Sequence, residues 1–195
     1  QDDTTAMDKC KLCKKQDADK TGSHIIPHFL LKRIDCDPDN IGRDKEIGFF
    51  IDSLDTTSYF GRSVLPDKLT KIFGEIKEED IEANKNPYIV DNFFCTECEF
   101  DFSIIESEYS KTINKTAGSD YESGINPALA LLFWISVVWR LSLIAKGGLY
   151  LTTKEQNMLQ RILSDYLEDD IKKINIEKVD KDLTCTNFFY RLLRC

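Results

Sequence analysis

The chain has 195 residues, which is enough for one domain or two small ones. Apolar residues make up 42% and charged residues 31%, so a disordered low-complexity protein is excluded. The net charge of −8 excludes a protein that coats nucleic acid by bulk charge, although a local basic groove remains compatible with it.

The first half of the chain predicts short strands followed by one clear helix. Pro27 ends the first predicted strand because proline cannot donate to a strand ladder. In the helix, the apolar residues Phe102, Ile105 and Tyr109 recur with helical spacing. The predicted elements are strands over Ser23–Ile26 and Gly48–Leu54, a helical turn over Phe29–Ile34, and a helix over Glu99–Lys111.

The second half predicts helices after a polar boundary over Thr116–Gly124. Asn126 and Pro127 are a typical helix start, and this helix is expected to reach about Ala145. The Thr152–Glu155 segment is a capping box that starts another helix, through about Leu167, and helical pieces follow from Asp170 and Thr186.

No apolar run approaches the length of a membrane span. The longest, Ala128–Val138, falls short of about 20 residues and predicts a buried core helix. The polar, acidic residues 1–6 lack the features of a secretory signal. We therefore expect a cytoplasmic protein without membrane association.

Four of the seven cysteines form two Cys-x-x-Cys pairs, Cys10 with Cys13 and Cys95 with Cys98. In the cytosol such pairs usually hold zinc rather than form disulfides, and two pairs complete a tetrahedral structural site. The 81 residues between the pairs exceed the usual spacing and imply an insertion. The alternative is four unrelated thiols.

His24 and His28 are the only histidines, and both follow the first cysteine pair. Histidine is the commonest general base near neutral pH. The alternative for a single histidine is a buried side chain that is hydrogen-bonded to the backbone.

The order Cys10-x-x-Cys13, His24-Ile25-Ile26-Pro27 and Cys95-x-x-Cys98 resembles that of the HNH nucleases, the ββα-metal family. Glu99, Glu106 and the Trp139–Ser142 run add similarity to a bacterial, zinc-stapled subgroup with a Ser-His-Ile-Ile-Pro motif. The resemblance implies an α+β fold: a zinc-stapled HNH-like ββα core with an insertion, followed by an α-helical domain. We expect domains at 1–118, with the insertion at about 35–90, and at 119–195.

The resemblance implies a metal-dependent endonuclease that hydrolyses phosphodiester bonds of DNA or RNA in bacterial defence or conflict. His24 would be the general base and Glu99 the first ligand of a catalytic Mg²⁺ or Mn²⁺. Glu99 and Glu106 lie two helical turns apart and offer the hard oxygen ligands that these ions prefer. Ser23 departs from the family, which usually has Asp before the histidine, and Glu99 stands where a histidine is frequent.

Several residues keep two interpretations. Glu106 is either an ion ligand or a solvated helix residue, and His28 either contacts the phosphate or the ion or is simply exposed. Lys14, Lys15, Lys32 and Arg33 either line a groove for the nucleic-acid backbone or are solvated. Arg140, within an apolar helix, needs either a partner or an exit to solvent, and a carboxylate such as Asp165 or Glu168 is the expected partner.

Two rival functions stay open beside the nuclease. One is a catalytically degenerate zinc-binding module that binds nucleic acid or a protein partner. The other is an adaptor whose helical part binds a partner or forms a homodimer. Only the nuclease requires His24 for cleavage, and only the adaptor lacks affinity for nucleic acid.

Overall fold

The computed structural model describes residues 8–30, 47–51, 56–60, 70–71, 74–75, 77, 88–112, 124–144 and 149–184. These residues form an α+β arrangement that is mostly helical, as the sequence predicts for the fold class. Two two-stranded antiparallel sheets accompany the helices. In chain order the elements are β1 (Ser23–His24), β2 (Ile47–Ile51), β3 (Thr56–Phe60), β4 (Ile89–Val90), α1 (Thr96–Lys111), α2 (Pro127–Ser142), α3 (Thr153–Tyr166), a 3₁₀ turn (Ile171–Lys173) and α4 (Ile176–Thr184).

The sheet that matters for the site joins strands far apart in sequence. β1 pairs with β4, with Ser23 opposite Val90 and His24 opposite Ile89. The Ile25 amide donates to the Tyr88 carbonyl at 2.8 Å and extends the pairing by one bond. α1 follows β4 directly, so two strands and a helix succeed one another in space.

The second sheet is the β2–β3 hairpin, which lies in the predicted insertion. Its register places Ile47 opposite Phe60 and Ile51 opposite Thr56. β2 confirms the strand expected over Gly48–Leu54, with bounds shifted toward the N-terminus. Residues 28–30 are helical within the turn predicted over Phe29–Ile34, of which the remainder lies outside the described residues.

α1 confirms the predicted helix but begins three residues earlier, at Thr96. The cause is a distant cap: the Asp19 carboxylate accepts from the Thr96 amide at 2.8 Å and from its hydroxyl at 3.2 Å. A carboxylate at a helix N-terminus satisfies an unpaired amide and complements the helix dipole. Cys98, Phe102 and Ile105 are the buried residues of this helix.

α2 is the apolar helix at the centre of the core. The Asn126 side chain accepts from the Ala128 amide at 2.8 Å, and Pro127 occupies the first turn, so the predicted start is confirmed. The helix ends at Ser142, before the expected Ala145. Within the described residues, no helix is both long and apolar enough to span a membrane.

α3 begins at the predicted capping box, in which Thr152 and Glu155 satisfy each other's backbone amides. It ends at Tyr166, one residue before the expected end. The 3₁₀ turn and α4 provide the helical pieces expected after Asp170. The helix expected from Thr186 lies outside the described residues.

One buried cluster connects these elements. It includes Cys10 and Leu12 near the N-terminus, Phe94 before α1, Trp139 of α2 and Val179 of α4. Phe94 and Phe102 meet edge to face at 5.3 Å, and both rings contact Trp139. Residues from both sides of the predicted boundary at 118/119 therefore share one core, and the boundary itself stays a prediction.

Candidate functional site

Four sulfur atoms converge where the N-terminal segment meets α1. The Sγ atoms of Cys10, Cys13, Cys95 and Cys98 all lie within 4.8 Å of one another, and none of the four forms a disulfide. Tetrahedral zinc–sulfur bonds of about 2.3 Å would hold sulfurs about 3.8 Å apart. The Cys13 and Cys95 sulfurs are 3.9 Å apart, so these residues fit a zinc ion.

Backbone hydrogen bonds shape the first cysteine pair into a tight turn. The Lys14 amide donates to the Cys10 carbonyl at 2.9 Å, and the Cys10 amide donates to the Gln16 carbonyl at 2.8 Å. Lys14 takes a left-handed conformation with φ of 60°, which lets the chain reverse. The Lys11 amide then bonds the Phe93 carbonyl at 2.8 Å and fastens this turn beside the second pair.

The thiols are electrostatically coupled. A hydrogen bond from Cys98 lowers the pKa of Cys10, with help from backbone amides of Cys13, Cys95 and Leu12. The same Cys10–Cys98 bond, followed by burial, raises the pKa of Cys98, while burial raises the pKa of Cys95 to about 11. Among Cys10, Cys95 and Cys98 the cluster thus favours the thiolate at Cys10, and a bound dication would allow the other two to ionise.

Beside this cluster, Glu99 and Ser23 form a partly buried polar contact. Burial raises the pKa of the Glu99 carboxyl, while the nearby Ser23 hydroxyl and the Arg140 guanidinium act in the opposite direction. Glu99 Oε2 and Ser23 Oγ are both buried, and neither meets hydrogen-bond geometry within the described part of the chain. A buried, unsatisfied carboxylate oxygen fits the hard-ligand role predicted for Glu99.

The expected partner of Arg140 is wrong. Arg140 is only 2% exposed, and its Nη2 lies 2.7 Å from Glu106 Oε1 on α1 rather than near Asp165 or Glu168. The reason is tertiary: α2 packs against α1 and directs Arg140 toward that helix. The role of Glu106 as an ion ligand stays a prediction, and one of its oxygens already pairs with the guanidinium.

The two histidines lie together at the end of β1. Their ring centroids are 5.7 Å apart, and both side chains are partly exposed. Side chains alternate along a strand, so Ser23 and His24 are directed to opposite faces. Ser23 therefore lies beside Glu99 on one face, whereas His24 lies beside His28 on the other.

The predicted nucleic-acid contacts are described only in part. Lys14 and Lys15 are exposed on the turn of the first cysteine pair. Lys32 and Arg33 lie outside the described residues.

The chain matches no protein-family model, no curated protein and no solved structure. The HNH resemblance therefore depends on the motifs and on the site alone.

Two further residues hold the site together: Asp19, which nothing in the sequence singles out, and Asn92, which lies near the second cysteine pair but not at the offset where the HNH family has an Asn. Asp19 caps α1, as described above, and Asn92 adopts a left-handed conformation with φ of 58°. The Asn92 amide donates to the Lys20 carbonyl and its side chain to the Ala18 carbonyl, both at 2.8 Å. An Asn in a turn is a recognisable signal for left-handed backbone. No local signal identifies a cap supplied from 77 residues away.

Proposed function

We propose that the protein is an HNH-like, metal-dependent endonuclease that hydrolyses phosphodiester bonds of DNA or RNA. The observation that carries the proposal is spatial: β1 bears His24, pairs with β4, and is followed in space by α1 with Glu99. The four-cysteine cluster lies where the N-terminal segment meets the start of α1. This order agrees with the arrangement that the motif resemblance implies.

In the proposed reaction, each side chain has a separate task. A neutral ring nitrogen of His24 accepts a proton from the attacking water. Glu99 would hold a Mg²⁺ or Mn²⁺ ion through its buried oxygen, and that ion, when bound, stabilises charge on the phosphate. The four thiolates would hold zinc, which maintains the fold and leaves the chemistry to the other residues.

The test is cleavage of a plasmid and of single-stranded RNA by purified protein, with Mg²⁺ or Mn²⁺, beside zinc analysis. We expect the parent to cleave and His24→Ala to lose cleavage by at least about 100-fold, because general-base catalysis supplies about that much. Both proteins should keep one zinc per chain. Equal cleavage by parent and variant would contradict the assignment of His24.

A second candidate is favoured by two observations. Ser23 occupies the position where the family has Asp, and strand alternation directs His24 away from Ser23 and Glu99. A degenerate zinc-binding module that binds nucleic acid would show both features. It predicts no cleavage, unchanged binding in His24→Ala, and weaker, salt-dependent binding when Lys14 and Lys15 are both changed to Ala.

A further inference from the structure

Arg140 makes contacts on three elements from one buried position. Its Nη1 donates to the His24 carbonyl of β1 at 2.9 Å, and its Nη2 pairs with Glu106 of α1 at 2.7 Å. Its Nε donates to the Ser136 carbonyl of α2 at 3.2 Å, and its guanidinium carbon lies 4.7 Å from the centre of the Phe102 ring. No step of the proposed mechanism uses this side chain.

The contact with His24 matters because β1 is very short. β1 and β4 contain two residues each, and an isolated two-stranded sheet of that size is marginal in water. Arg140 supplies a hydrogen bond to the His24 carbonyl, a group that would otherwise need another partner. A side chain from α2 thus fixes the backbone of the residue proposed as the base.

The fork shape of arginine explains why this residue type suits the position. Nη1 donates to the His24 carbonyl of β1, while Nη2 forms a close ion pair with Glu106 Oε1 of α1 that is bent away from hydrogen-bond geometry. A lysine ammonium is a point charge, and it cannot reproduce this fixed geometry of donors. A lysine charge could therefore neutralise Glu106, but it would not hold β1 and α1 in their present relative positions.

We propose that Arg140 is a positioning residue, which sets the place of His24 by joining its carbonyl to Glu106 of α1. The inference rests on the proposed function for its catalytic meaning. It also means that α2, which belongs to the predicted helical domain, contributes to the site by positioning His24.

The first measurement uses the fact that the chain has only two histidines. In a ¹H–¹³C spectrum without added Mg²⁺ or Mn²⁺, the His24 and His28 ring signals can be assigned with His24→Ala and His28→Ala. Arg140→Lys should move the His24 signal well beyond the change seen in Arg161→Lys. Arg161 is exposed on α3 and is the matched control.

The second measurement is kinetic. Misplacing a catalytic group by about 1 Å can cost about 100-fold, so we expect Arg140→Lys to lower kcat by about 10- to 100-fold. KM should stay within about twofold of the parent value, because Arg140 is buried and the inference gives it no contact with substrate. A residue that only stabilises the fold would change the melting temperature without lowering kcat at constant KM.

A folded Arg140→Lys protein with the parent His24 signal and the parent kcat would overturn the inference. If Arg140→Lys does not fold, Glu106→Gln decides, because it weakens the other arm of the fork while preserving shape. Its His24 signal should also move, and an unchanged signal would overturn the inference. A parent that never cleaves would defeat the proposed function, whereas the ring signals would still decide the role of Arg140.

Discussion

Glu99 is a carboxyl whose surroundings oppose its ionisation. Burial is the largest influence and raises its pKa, Glu106 adds to the increase, and Ser23 and Arg140 oppose it. Folding therefore favours the protonated form. The protonated Glu99 carboxyl contributes fully to stability below the pKa that it has in the unfolded chain. This contribution is lost as pH rises through the higher pKa that it has in the folded protein.

This sign gives a prediction for Glu99→Gln, which keeps the shape and removes the titration. Without added Mg²⁺ or Mn²⁺, we expect the variant to gain stability relative to the parent as pH rises from about 4.5, the ordinary glutamate value. Urea unfolding at several pH values measures the difference. The exposed Glu177→Gln serves as a surface control. A Glu99→Gln difference that does not change with pH would contradict the prediction.

At the scale of residues, the sequence shows which side chains are important better than it shows which side chains they contact. The two Cys-x-x-Cys pairs are recognisable because the motif itself brings two thiols together, and the structure confirms that both pairs meet. Arg140 is recognisable as a buried charge, but its partner depends on which helix lies opposite. Sequence periodicity contains no information on that choice.

At the scale of elements, α1 depends on a residue outside itself. Its N-cap residue, Cys95, provides no side-chain cap, and Asp19 accepts from the first helical amide instead. The cap also connects the N-terminal segment to the helix that bears Cys98 and Glu99. Loss of the Asp19 cap should therefore weaken both the first turn of α1 and the contact between α1 and the N-terminal segment.

We predict that Asp19→Ala lowers the free energy of unfolding by about 1 kcal/mol, the usual value of a helix cap. Asp17→Ala is the matched control, because the Asp17 carboxylate forms an exposed ion pair with Lys9 at 2.7 Å and caps none of the described helices. Such pairs contribute about 0–1 kcal/mol. Urea unfolding in zinc-buffered solution measures both. Equal losses would show that Asp19 is not a cap of ordinary strength.

The helix boundaries show where local sequence is sufficient. The start of α2 and that of α3 are predicted to the residue because Asn126 and Thr152 cap their own helices. The start of α1 is predicted three residues late because its cap comes from another segment. The mixture of short strands and helices follows from such local signals, whereas the pairing of β1 with β4 joins segments more than 60 residues apart.

At the scale of the whole molecule, the four thiols connect the N-terminal segment with α1 inside one core. We predict one zinc per chain, and we expect Cys98→Ser to lose it, because one weaker ligand disrupts a closed site. The melting temperature should fall with the metal. Elemental analysis and thermal unfolding are the measurements.

The control for that experiment is Cys36→Ser, which removes a thiol outside the four and should keep the zinc. A Cys98→Ser protein that retains a full zinc ion would contradict the four-cysteine site. Chelation of the parent should lower its melting temperature toward that of Cys98→Ser.

The 81-residue separation between the cysteine pairs has a consequence for the evolution of the chain. Closing a loop costs entropy that grows only with the logarithm of its length, about 0.6 kcal/mol for each doubling. Once a metal and a buried core hold the two ends, the part of this sequence between β1 and β4 can lengthen or shorten at small cost in loop-closure entropy. The four-cysteine site and the core therefore make this stretch a favourable place for the insertion of additional domains during evolution, because the two ends keep their geometry.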